Sequence, residues 1–202
     1  MLFWLAPGLD IAVSSFFYRP GEGFFLRDSR WARFFYVVSP PFVWSWVGIA
    51  AGLALLSLAP RFARLRRPAL FVIATILLGP GLIVSLFKDH WGRARPVEIV
   101  EFGGTARFTP AWVPSDQCRE NCSFVGGHAA GAFSLMALAW AMPRQRRFWL
   151  LAGMFWGAHM GLVRIAQGGH FLSDIVFAGF IVYFTAALLA RWVFYRPADA
   201  PT

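Results

Sequence analysis

Five long apolar stretches divide the chain, at 37–60, 68–87, 128–142, 148–165 and 171–195, with polar segments rich in arginine and glycine between them. Most approach the ~20 residues that an α-helix needs to cross the hydrocarbon core of a bilayer, so the pattern predicts membrane-crossing helices. The third stretch is short, and its neighbours can extend it. A sixth, 1–18, is interrupted by Pro7, Gly8 and Asp10; it reads either as the stub of a first crossing helix or as a segment lying in the interface. Residues 19–35 mix Gly, Arg and aromatics and read as an amphipathic surface stretch. With no internal repeat and no soluble unit in view, the expected fold is all-α. It is a polytopic transmembrane bundle of about six helices, the first shortened in one reading, forming a single domain over 1–202.

Composition supports that class. The chain is 58% hydrophobic and 14% charged, too little polar surface to cover a water-soluble globule. A net charge of +9 raises the question of nucleic acid, but the basic residues lie between apolar runs and form no continuous stripe. A positive protein at an anionic lipid surface is the simpler reading, so the expected partners are a bilayer and a phospholipid, with no nucleic acid. The N-terminus has no basic segment, and the first cation of the chain is Arg19, so no secretory signal is expected.

Orientation follows from the short linkers. Arg61, Arg64, Arg66 and Arg67 precede the second long stretch, and Arg144, Arg146 and Arg147 precede the fourth. Such clusters mark the cytoplasmic side. Alternation then sends 88–127, 164–170 and 19–35 to the opposite face. That face also carries many cations, against the simple rule, and an anion-binding site would account for them.

Three polar stretches meet there. In Lys88-Asp-His-Trp-Gly-Arg-Ala-Arg95-Pro96 the two outer cations are about two helical turns apart, on one face if the helix is continuous. In Ser123-Phe-Val-Gly126-Gly127-His128, paired glycines precede a helix and present backbone N–H groups to an anion. In Arg164-Ile-Ala-Gln-Gly-Gly-His170-Phe-Leu-Ser-Asp174, the histidine and the carboxylate are i and i+4. An Asp accepting one ring N–H fixes the imidazole tautomer and frees the other nitrogen to attack. Cys118 and Cys122 share one polar loop. They are either a disulfide or two free thiols, and too few Cys or His lie nearby for a four-ligand zinc site.

The three blocks together resemble the type 2 phosphatidic acid phosphatase superfamily, which includes the vanadium haloperoxidases. Its signature is a Lys followed after six residues by Arg-Pro, then Pro-Ser-Gly-His, then Ser-Arg with His six and Asp ten residues past the Arg. Lys88, Arg95 and Pro96 match the first block, Gly127 and His128 the end of the second, and Arg164, His170 and Asp174 the third. Val125 and Gly126 stand where the family has Pro-Ser, and Val163 where it has Ser.

The resemblance implies a metal-independent, cofactor-free reaction in two steps. His170 attacks phosphorus with Asp174 orienting it, and His128 serves as proton donor and then helps to activate water. Lys88, Arg95, Arg164 and the Gly127 N–H hold the phosphate, with the Gly126 position short of one hydroxyl. Phosphoryl transfer needs mainly positioning and charge stabilisation, which three cations supply. The stretch 92–96 and the approach from Cys118 to Phe124 look most like the lipid A 4′-phosphatase branch, with undecaprenyl diphosphate or phosphatidylglycerol phosphate as the next substrates. The implied location is a bacterial inner membrane with the site facing the periplasm. A lipid-to-lipid phosphotransferase and a low-activity phospholipid binder remain the alternatives.

Overall fold

The protein's structure, a computed structural model, describes residues 2–195. Met1 and residues 196–202 of the expected single domain lie outside that range. Four of its helices are long and apolar enough to cross a membrane: Arg30–Leu56, Pro60–His90, Pro143–Ala166 and Leu172–Phe194. Their outward faces expose Trp44, Leu55, Phe155 and Leu188, side chains that suit lipid and not water. The protein is a multi-pass helical membrane protein.

The N-terminal stretch does not cross. Pro7 and Gly8 split it into α1 (Leu2–Leu5) and α2 (Leu9–Ser15), both far too short, and α2 packs against the last long helix. The surface stretch that follows holds a two-stranded ribbon, β1 (Tyr18–Arg19) with β2 (Gly23–Phe24). Helix α3 (Arg30–Leu56) starts earlier than hydropathy suggests. Ser29 caps it by accepting a hydrogen bond from the Ala32 N–H at 3.2 Å, and its first turns carry interfacial cations ahead of the apolar run.

The second rod is continuous but irregular. After a 3₁₀ turn, Pro60–Leu65, come α4 (Arg66–Ile76), a π-helical segment (Leu77–Ile83) and α5 (Val84–His90). Pro80 lies within the π segment. A proline ring has no N–H to give to the helix, and local widening of this kind is a common way to absorb the interruption.

The third apolar stretch is broken into α6 (Gly127–Phe133), a 3₁₀ turn (Ser134–Ala137) and α7 (Leu138–Ala141). It needs no long apolar surface, because the bundle sheathes it. Ala129, Ala130, Ala132, Ala137 and Ala139 are buried, and α6 packs against α3, α8 (Arg146–Ala166) and α9 (Leu172–Phe194). Small residues let these backbones approach. A Cβ on Gly157 of α8 would lie 2.0 Å from the Phe133 ring. Among the described residues, the expected bundle of about six helices, the first shortened, has four long apolar helices around a short buried one.

Candidate active site

The ends of α5, α6 and α8 and the start of α9 come together at the face opposite the two arginine linkers. A cavity of about 400 Å³ opens there, lined by Lys88, Arg95, Gly127, His128, Arg164 and His170, and by Asn121. Its apolar wall is made by α3 and the π segment, including Val43, Trp44, Leu77 and Pro80. Gly126 and Asp174 are not on this wall.

Lys88 and Arg95 do not share a helical face. The rod ends at His90, and Gly92 turns the chain away at φ 67. A Cβ there would sit 1.6 Å from the Ser115 carbonyl oxygen, so only glycine fits. The two cations meet again through the loop after Ser115. Lys88 Nζ donates to Asn121 Oδ1 at 3.1 Å and to the Cys122 carbonyl at 3.0 Å, and Arg95 Nη2 donates to the Asn121 carbonyl at 2.6 Å. Cys118 and Cys122 are joined as a disulfide, which closes this loop upon itself.

Arg164 is buried at the last turn of α8. Its Nη1 donates to Gln167 Oε1 at 2.6 Å, and its guanidinium lies 4.8 Å from the Tyr36 ring. Its Nε is buried with no hydrogen-bond partner. Tyr36 also stacks on His128, with centroids 4.7 Å apart. Among the described residues, no carboxylate lies within salt-bridge distance of Lys88, Arg95 or Arg164. Cations so placed are costly without an anion.

The immediate partner of His170 is not the expected one. Its Nδ1 lies 2.7 Å from the Ser123 carbonyl oxygen and 3.7 Å from Asp174 Oδ2. A carbonyl only accepts, so Nδ1 carries the proton and Nε2 keeps its lone pair. The i, i+4 pair keeps only this 3.7 Å ion-pair contact, longer than a hydrogen bond, because α9 starts at Leu172 and leaves His170 outside it. Asp174 instead accepts from Ser123 Oγ, from the Phe171 N–H at 2.8 Å and from Arg93 Nη1. It therefore holds the ring through Ser123. Burial pushes the His170 imidazole down to about 4, against the raising pull of Asp174 and with a smaller lowering from Lys88 and Arg164.

Gly126 caps α6, and its N–H donates to the Asp174 carbonyl at 3.2 Å. A Cβ added there would meet Ile175 Cδ1 at 2.8 Å, so a side chain at 126 starts out against α9. A Cβ on the adjacent Gly127 would instead lie 3.2 Å from Lys88 Cε, and that glycine keeps the lysine stem close.

The sequence reading missed Asp10, Tyr36, Arg93, Asn121 and Gln167. Asp10 had a signal, as a carboxylate in an apolar stretch is expensive without a partner. Its partner, Arg93, is 83 positions away and fully buried.

Residues 68–198 match the PAP2 superfamily. The chain is 37% identical over 206 residues to a lipid A 4′-phosphatase of Francisella tularensis subsp. novicida, covering 96% of this chain and 88% of that one. It is 31% identical to a lipid A 4′-phosphatase of Rhizobium leguminosarum, covering 94% of each. A lipid A 1-phosphatase of Rhizobium etli is 31% identical over a shorter region, 64% of this chain and 56% of that one. No solved structure matches. On the extent of these matches, the chain belongs to the PAP2 superfamily.

Proposed function

We propose that this chain is a lipid phosphate phosphatase that removes the 4′-phosphate of a lipid A-type glycolipid from the periplasmic face of a bacterial inner membrane. The observation that carries the reading is the set of three cations, Lys88, Arg95 and Arg164, around one cavity with no carboxylate of the described residues within salt-bridge distance of them. A phosphate dianion supplies the missing charge, and the buried Arg164 Nε supplies a donor that is still unused. The apolar wall from Val43 to Pro80 continues from the charged end, so a lipid can present its phosphate while its chains stay among α3 and the π segment. The relatives named lipid A 4′-phosphatase favour that substrate over undecaprenyl diphosphate and phosphatidylglycerol phosphate.

In this reading Nε2 of His170 attacks phosphorus in line with the leaving oxygen. The ester P–O bond breaks as the N–P bond forms, and His128 gives the leaving sugar oxygen its proton. Water then attacks the phosphohistidine, His128 takes a proton from it, and His170 is released. The cations hold the non-bridging oxygens throughout, and Gly127 lets the α6 backbone come close to them.

The test is phosphate release by purified protein from lipid A 1,4′-bisphosphate, undecaprenyl diphosphate and phosphatidylglycerol phosphate. The expected result is loss of only the 4′-phosphate, abolished by His170→Ala in a folded protein and unaffected by excess chelator. Transfer of label to a second lipid in place of free phosphate would favour a phosphotransferase. No release from any of the three would favour a phospholipid binder.

A further inference from the structure

Behind His170 lies a buried ionic network whose Arg93 and Asp10 have no part in the reaction scheme. Arg93 is fully buried, and its guanidinium is shared between two carboxylates. Nη2 pairs with Asp10 Oδ2 at 2.8 Å, and Nη1 pairs with Asp174 Oδ1. Arg93 Nη1 also donates to Ser173 Oγ at 2.8 Å, and Nε donates to the Thr109 carbonyl at 2.8 Å. Asp10 accepts from the Ser173 N–H at 2.8 Å and from Ser173 Oγ. The Phe171 ring covers the guanidinium at 4.3 Å. Two carboxylates and one guanidinium leave one net negative charge, buried beside the imidazole through Asp174.

Stability alone does not call for this arrangement. One carboxylate would neutralise Arg93, and a second adds desolvation cost that a single guanidinium cannot fully offset. What a net negative charge does favour is a positive charge forming nearby. When Nε2 of His170 bonds to phosphorus with Nδ1 still protonated, the ring becomes cationic. Lys88, Arg95 and Arg164 around the same cavity oppose that change. The phosphoryl oxygens engage those cations, but if Asp10 were absent Arg93 would cancel Asp174, and no net negative charge of the protein would remain on the Nδ1 side of the ring.

We propose that Asp10, on the non-crossing N-terminal segment, is a positioning residue that takes up one arm of Arg93 and so leaves the charge of Asp174 free to stabilise the phosphorylated, cationic His170. The inference rests on the phosphohistidine reading above. It gives the N-terminal segment a part in the reaction although α2 adds no residue to the cavity wall.

The test is a charge-balance cycle in the full-length protein, read per folded molecule by gel filtration and circular dichroism. Asp10→Asn removes the extra negative charge and should lower kcat about ten- to hundredfold, the size of one unit charge acting at short range in a protein interior. KM should change little, because the phosphate cage is intact. Orthovanadate, which copies the five-coordinate phosphoryl group, should lose inhibitory affinity in parallel, whereas inhibition by inorganic phosphate should not. Adding Arg93→Gln to Asp10→Asn restores one net negative charge and should recover most of kcat, a coupling that independent structural damage would not produce.

A double variant as slow as the single, or vanadate and phosphate affinities that fall together, overturns the proposal. Should Asp10→Asn alone not fold, the double variant carries the test. A kcat within about tenfold of wild type supports the charge balance, and a larger loss overturns it. A wild-type protein that releases phosphate but forms no acid-labile phosphoprotein on rapid quenching, and does not need His170, refutes the reading beneath the proposal. That result is separate from any result of the cycle.

Discussion

At the scale of single residues, the environment of His170 has a consequence for pH. An ordinary imidazole, with a pKa near 6.5, is largely protonated at pH 5.5 and cannot attack. Burial brings His170 down to about 4, so the neutral form that the proposed attack needs persists well below pH 6. With the titration of the substrate phosphate, near 6, measured separately and divided out, single-turnover formation of the phosphoenzyme should therefore keep its rate at pH 5.5, and a remaining acid limb near 6.5 would show that the attacking group is another one. Stability moves the other way. Between about 6.5 and about 4 the unfolded chain binds a proton at this position that the folded one does not, so resistance to denaturation should fall as pH drops through that window. The identity of His170 as a candidate was legible in the sequence, because chemistry-bearing residues stand out against an apolar background. Its partner was not, because the nearest acceptor is the backbone carbonyl of Ser123, and a carbonyl has no sequence signature.

Among the elements, the loop closed by the Cys118–Cys122 disulfide shapes the cage through its uncharged groups, the Asn121 side chain and the Asn121 and Cys122 carbonyls. Asn121 and Cys122 together hold Lys88 at two points and Arg95 at one, and Asn121 sits at φ 48, an uncommon conformation for a residue with a side chain. Opening the disulfide releases that conformation, and hydrogen bonds to charged groups of this kind are worth about a tenfold factor or more each. Reduction, or the Cys118→Ser/Cys122→Ser pair, should thus lower kcat/KM about tenfold, mainly through KM, and reductant should have no further effect on the double variant. Equal kinetics with and without the disulfide would mean that the loop holds its shape unaided. Helix-level features were legible where hydropathy decides them, as in the long rods and the arginine linkers between them. Elsewhere other forces set the limits. Ser29 starts α3 before the apolar run begins, and Gly92 makes the link between Lys88 and Arg95 a matter of loop geometry instead of helical period.

For the whole molecule, the governing fact is that both halves of the site reach one end of the bundle only because a short helix returns through its middle. The stretch from Gly127 to Ala141 is too short and too rich in small residues to face lipid, yet it carries His128 at one end and leads at the other to the linker with Arg144. Its neighbours supply the apolar surroundings that a lone span must supply for itself, which is why hydropathy alone gives a poor count of crossings in such a protein. The same path, with the arginine linkers at one end, predicts a topology that can be checked apart from any chemistry. Ala63, in the first arginine linker, and Val100, in the long loop after α5, are both exposed and belong to opposite ends of the bundle. With the native cysteines joined as a disulfide, a single Val100→Cys should react with a membrane-impermeant maleimide in intact spheroplasts. Ala63→Cys should react only after the membrane is opened. The arginine clusters beside Ala63 are the physical reason for that order, since cationic linkers are retained on the cytoplasmic side. The reverse labelling pattern would put the cavity in the cytoplasm, and the substrate would then have to be a lipid phosphate of the inner leaflet.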